Sequence, residues 1–77
     1  MTKDALTPRE IEVLRLLARG LSDEQIAVTL TIARGTASNH VSDIIHKLGA
    51  ANRLAAVVVA VQRGIIAIPP PKKRERT

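Results

Sequence analysis

The sequence predicts an all-α domain of four helices followed by a disordered C-terminal tail. Three observations carry that expectation. Two segments, Thr7-Pro8-Arg9-Glu10 and Ser22-Asp23-Glu24-Gln25, stand directly before apolar runs. Ser or Thr followed three residues later by Glu or Gln is the signature of a helix start, because each residue satisfies a free backbone N–H of the other. Between residues 34 and 48, apolar side chains recur at helical spacing, and glycines at 20, 49 and 64 stand where helices readily end.

In the first helix Thr7 is the N-cap, Pro8 takes the first helical position where its missing N–H costs nothing, and Glu10 completes the box. Leu6 and Ile11 sit at the positions of a hydrophobic staple. Ile11, Leu14, Leu17 and Ala18 form the expected buried stripe, and Gly20 the stop. The second helix repeats this grammar: Ser22 caps, Gln25 is the third helical residue, and Leu21 with Ile26 make a second staple. It runs to about Leu30 and buries Ile26, Ala27 and Leu30, with residues 31–33 as the turn.

The third helix, from Arg34 to Leu48, places Ala37, Val41, Ile44, Ile45 and Leu48 at i, i+4, i+7, i+8 and i+11. That is a single apolar stripe about 100° wide, so the helix packs by that face alone. Its start is weak. Ala33 at the cap has no side-chain acceptor and Gly35 lies in the first turn, each costing about 1 kcal/mol, so tertiary packing must hold that end. In the fourth helix Asn52 is the cap and the segment continues to about Arg63, with Gly64 behind it. Leu54 to Val61 is apolar throughout and Val57-Val58-Val59 is β-branched, so a strand competes. Helix is preferred because Asn52 and Gly64 bracket a helical length and no partner strand is evident.

Seventy-seven residues make one domain, near the size at which burial is marginal and oligomerisation helps. The absence of cysteine excludes disulfides, thiolate metal sites and a cysteine nucleophile. His40 and His46 point differently and lack a third ligand, so neither a metal nor a cofactor is expected. No apolar run reaches the length of a membrane span, and no signal core follows Met1. With no aromatic residue the core must be Leu, Ile, Val and Ala, and base stacking on aromatic platforms is excluded. The formal charge of +5 is uneven. Residues 72–77 supply +3 of it through Lys72, Lys73, Arg74 and Arg76 against Glu75, which leaves the rest of the chain mildly basic. Residues 1–5 are read as a flexible start, 6–66 as the domain and 67–77 as a disordered basic tail. The tail either attracts phosphate nonspecifically or, the commoner role, is a solvated terminus.

Opposite its apolar stripe the third helix carries Ser38, Asn39, Ser42 and His46. A helix held by its back, with short hydrogen-bonding groups in front, is how a helix-turn-helix presents its reading helix to a DNA groove. The plainer reading of that face is a solvated helix surface. For base contact, Asn39 can pair with adenine N6 and N7, and Ser38 and Ser42 can donate or accept. Asp43 lies to one side, where it can accept from cytosine N4 or repel phosphate. Arg34, Thr36, His40 and Lys47 flank the stripe and are types that hold a phosphate backbone without reading sequence, although a packing role for His40 stands beside this. On the fourth helix Ala56, Val57 and Ala60 should meet the core, while Leu54, Val58 and Val61 project from another face at i, i+4 and i+7. Either that second face joins two copies or it lies under the first helix. A chain this short does not wrap a helix fully, which favours a homodimer.

At this point the residues resemble a known family. Leu6-Thr7-Pro8-Arg9-Glu10, Val13-Leu14, Ala18 and Gly20 are similar to the opening of LuxR-type (NarL/FixJ-like) helix-turn-helix domains. The likeness continues through Gln25-Ile26-Ala27, Leu30, Ile32, Thr36, His40-Val41, Ile44, Lys47-Leu48-Gly49, Asn52-Arg53, Ala56-Val57, Ala60 and Gly64, covering about residues 6–66. It implies a bacterial, cytoplasmic DNA-binding domain that regulates transcription, with double-stranded DNA and a second copy as partners, RNA polymerase as a further one, and no membrane. The third helix would enter the major groove and the fourth would pair two subunits. Thr36 and Lys47 match family positions that contact phosphate. With no receiver or ligand domain before the helices, the chain reads as an excised effector domain of a response regulator or a small stand-alone regulator. It departs from the family pattern at Ala33, where Ser is frequent, at Ser38, where Lys is frequent, and at Asp23-Glu24, where Asn-Lys is frequent. Each departure removes an attraction to phosphate or adds a charge that repels it. The rival to DNA binding is a protein-interaction module on the same fold. An enzyme is remote, since no nucleophile–base pair or phosphate-binding glycine loop is present.

Overall fold

The computed structural model describes residues 5–67. The flexible start and the basic tail expected above fall outside them, apart from Ala5 and Ala67. Four helices follow one another: α1 (Pro8–Ala18), α2 (Asp23–Leu30), α3 (Arg34–Leu48) and α4 (Arg53–Gln62). No strand occurs among the described residues, so the β-branched run of α4 is helical.

Both capping boxes form. The Thr7 hydroxyl accepts from the Glu10 N–H at 3.1 Å while the Thr7 N–H donates to Glu10 Oε1 at 2.9 Å. Ser22 and Gln25 make the same reciprocal pair at 3.2 and 2.8 Å. Asn52 caps α4 by accepting from the Ala55 N–H at 2.8 Å. Ala33, as expected of a side chain without an acceptor, leaves α3 uncapped.

All four helices end the same way. A residue with positive φ follows each one, and the next N–H reaches back five residues: Leu21 to Leu16, Ile32 to Ala27, Ala50 to Ile45 and Ile65 to Ala60, at 2.9–3.2 Å. Each of those four N–H donors carries an apolar side chain that packs on the core, completing the helix-ending motif. Three of the positive-φ residues are glycine; the fourth is Thr31, between α2 and α3, at φ 58°. The left-handed region costs a β-branched residue about 1–2 kcal/mol. The turn of the helix pair is therefore the one terminus that the chain closes against its own backbone preference.

Helix α3 touches each of the other three, whereas α2 and α4 do not pack on one another. Its buried residues, Ala37, Val41, Ile44 and Leu48, meet Val13, Leu14 and Leu17 of α1, Ile26 and Ala27 of α2, and Ala56, Val57 and Ala60 of α4 in one core, which Ile66 joins after the last helix. Four stripe positions are less covered than the periodicity suggests: Ile11, Ala18, Leu30 and Ile45 are half-buried, and Val13 takes the fully enclosed place in α1. Short helices with aliphatic side chains enclose a thin core, and residues at the margins of each stripe stay partly wet.

Ala33→Ser should supply the missing acceptor at the start of α3 and raise stability by about 1 kcal/mol in urea unfolding. An unchanged midpoint would mean that this terminus gains nothing from a cap.

Candidate nucleic-acid interface

The back of α3 is closed, with Ala37 and Ile44 fully buried, and its front is open. Arg34, Thr36, Asn39, Ser42, Asp43 and His46 are exposed; Ser38, His40 and Lys47 are half-buried. The structure thus brings Asn39, Ser42 and Asp43 to one accessible surface, with Arg34 and Thr36 at its N-terminal end. That surface can hydrogen-bond through both donors and acceptors, and between Ser38 and His46 it holds no Lys or Arg. Among the described residues no group of three His, Cys, Asp or Glu side chains could hold a metal.

Two of the expected site residues are also tied inward. Ser38 Oγ donates to Asp23 Oδ2 at 2.8 Å, and Arg53 Nη2 donates to Asp23 Oδ1 at 2.6 Å. Asp23 is the first residue of α2 and Arg53 the first of α4, so a single carboxylate joins three helices, two of which have no packing contact of their own. Burial pushes the Asp23 carboxyl up, but the Ser38 and Arg53 hydrogen bonds and the charges of Arg53 and Arg34 outweigh it, and its pKa lies below the ordinary value.

At the other end of α3, Lys47 Nζ donates to Glu10 Oε1 at 2.8 Å and reaches the Ala5 carbonyl at 3.4 Å. An ammonium has three donors, so one remains for a phosphate. Glu10 is 4% exposed, the one buried charged residue among those described. Its burial raises the pKa, but the bonds from Lys47 and Thr7 and the Lys47 charge prevail, and the carboxyl lies below its usual range.

Asp23, Arg53 and the ion-pair role of Glu10 escape a reading of the sequence. Their partners lie 15, 30 and 37 residues away, and no periodicity links them. The one usable signal is the capping box itself, which turns Glu10 back along the helix. On α4, Leu54 and Val58 are 71% and 46% exposed, as a free second face requires. Val61 is half-buried against the protein's own core, so it stands at the edge of that face. Val28 on α2 is 76% exposed, an apolar side chain that the sequence reading did not single out.

Comparison with known proteins gives one consistent result. A family model described as bacterial regulatory proteins, luxR family, matches residues 4–60. The chain is 48% identical over 60 residues to the transcriptional regulatory protein LnrK of Bacillus subtilis, covering 78% of this chain and 27% of that protein. It is 44% identical over 64 residues to the quorum sensing-dependent transcriptional regulator VjbR of Brucella ovis, covering 83% of this chain and 25% of that protein. Hence the chain spans about a quarter of the length of these relatives. Among solved structures it is similar to the transcription factor GerE, with a TM-score of 0.78 at 36% identity over 83% of this chain and 96% of that one. It is also similar to the response regulator ChrA of a heme-sensing two-component system, with a TM-score of 0.80 at 42% identity over 86% of this chain and 33% of that one.

Both lowered carboxyls bind protons less readily in the folded chain than in the unfolded one. Their contribution to stability is therefore complete above about pH 5 and is lost as the pH falls through the folded-state values. Lys47→Met should cost about 2–3 kcal/mol at neutral pH, because it strands the Glu10 carboxylate, and should make the acid limb shallower. Urea unfolding between about pH 3 and pH 7 would measure both effects, and an unaltered midpoint in the variant would remove the pair from the account.

Proposed function

The chain belongs to the luxR family of bacterial regulatory proteins, and from that footing we propose that it binds double-stranded DNA sequence-specifically and regulates transcription. The observation that carries the reading is the asymmetry of α3: a back closed by Ala37, Val41, Ile44 and Leu48, and a polar front open to solvent. In this reading α3 lies in the major groove with Asn39 and Ser42 at base edges, Ser38 beside them and Asp43 at the margin. Arg34, Thr36 and the remaining donor of Lys47 hold phosphates, and α2 crosses the backbone. The names of LnrK and GerE, a transcriptional regulatory protein and a transcription factor, support the same role. RNA polymerase is then a further partner and the bacterial cytoplasm the compartment. Among the described residues no single helix is long and apolar enough to cross a membrane.

The second element of the proposal is a two-fold dimer through α4. Leu54 and Val58, four residues apart on one face, leave apolar surface exposed beside a core that their neighbours Ala56, Val57 and Ala60 already fill. A second copy covers such a strip by presenting the same strip, and Val61 would close its edge. Two α3 helices related by that axis call for half-sites arranged as an inverted repeat.

If DNA is the ligand, binding to duplex should weaken steeply with salt. Arg34 and Lys47 from two subunits neutralise about four phosphates, giving a slope of log affinity against log salt of about −3.6. Fluorescence anisotropy over a salt series would measure it; failure to retain any duplex from a random pool at low salt would leave the protein-interaction module as the reading. Val58→Asp should yield a monomer in sedimentation with the helical circular dichroism retained. An unchanged mass in that variant would reject the α4 interface.

A further inference from the structure

The contact between Asp23 and Ser38 bears on which bases α3 can accept, and this argument rests on the DNA-binding reading above. The direction of the bond is fixed by chemistry. An ionised carboxylate has no proton to donate, so at 2.8 Å the Ser38 hydroxyl must be the donor. The Arg53 guanidinium lies 2.6 Å from the other carboxylate oxygen, so it does not compete for the one that Ser38 uses, and an aspartate at neutral pH is anionic without it.

A free serine is an indiscriminate reader, because its hydroxyl turns to donate or accept as the base requires. Ser38 lacks that freedom. Its one proton is directed at Asp23, so what it can offer outward is a lone pair. We propose that Asp23 is a specificity-determining positioning residue: by holding the Ser38 proton it makes Ser38 an acceptor-only reader, which matches a base presenting an amino group, cytosine N4 or adenine N6. Guanine, whose major-groove edge offers only the N7 and O6 acceptors, and thymine, which offers O4, would set lone pair against lone pair at that position. The surroundings reinforce the bias. Asp43 on the same helix is also an acceptor, and no Lys or Arg stands between residues 38 and 46 to serve a guanine. The polarity of the reading face is thus set from α2, by a side chain that does not touch the base.

Selection from a random-sequence duplex library with the 77-residue chain and three variants tests this. The base pair concerned is the one whose preference Ser38→Ala abolishes, and there the intact protein should favour one orientation of the pair by about tenfold or more, a preference that rests on the pair's single major-groove amino group. Asp23→Asn has an amide that can donate to Ser38 Oγ, which releases the hydroxyl proton; it should admit the pair in either orientation at that position and leave the others unchanged. Arg53→Ala keeps the Asp23–Ser38 bond and should keep the preference. Should Asp23→Asn fail to fold by circular dichroism, the intact protein can be tested against a duplex from which that pair's major-groove amino group is deleted, and binding should weaken by about tenfold. The inference is overturned if Ser38→Ala alters no position, if Asp23→Asn retains the preference, if Arg53→Ala loses it as fully, or if deleting the amino group of that pair makes no difference. Enrichment of no sequence by the intact protein would instead overturn the DNA-binding reading itself, and this inference with it.

Discussion

Helix α3 has to be gripped along its back while its front stays open, and aliphatic side chains cannot do this unaided. Burial of Ala37, Val41, Ile44 and Leu48 supplies free energy but little direction, because hydrophobic contact does not resist a small rotation of a helix in its groove. Direction comes from two carboxylates. Asp23 takes hold through Ser38 near the start of α3 and Glu10 through Lys47 near its end. Charge-assisted hydrogen bonds are short and angle-dependent, so two of them, about two and a half turns of helix apart, help to fix the rotation of α3 about its own axis. The apolar stripe decides which residues face outward, and those two contacts hold that orientation.

Glu10 shows how much one side chain can combine. A single oxygen accepts both from the Thr7 N–H, which closes the start of α1, and from Lys47, which anchors the end of α3. An acid buried without a partner would favour protonation; with two donors on one oxygen it stays charged. The cap of the first helix and the seating of the third are therefore one unit, and acid that reaches Glu10 loosens both together.

The parts of this fold legible in the sequence are those with local causes. The capping boxes at Thr7 and Ser22 and the stripe from Ala37 to Leu48 placed α1, α2 and α3, because each depends on residues within a turn or two. The exposed strip of Leu54 and Val58 was visible for the same reason. What could not be read has distant or non-periodic causes. Asp23 departs from the family pattern by adding a negative charge, and nothing near it in the sequence points to Arg53, 30 residues on, as its partner. Nothing in the sequence around Lys47 names Glu10 as its partner, 37 residues away. Thr31 gave no sign of its left-handed backbone, since the usual marker of such a position is the glycine that the other three helix ends carry. The margins of the stripes, Ile11, Ala18, Leu30 and Ile45, depend on how thin the finished core is, which no single helix reveals.

A core built only from Leu, Ile, Val and Ala has an optical counterpart. With no Phe, Tyr or Trp in the chain, the folded protein has no aromatic chromophore in the near ultraviolet and no intrinsic fluorescence. In a complex with duplex, absorption at those wavelengths belongs to the bases alone, so any unstacking or kinking on binding is recorded without a protein background. A single tryptophan introduced on the open front of α3 would be the sole emitter in the molecule. The composition that limits the size of the core thus leaves the nucleic acid and the protein spectrally separable.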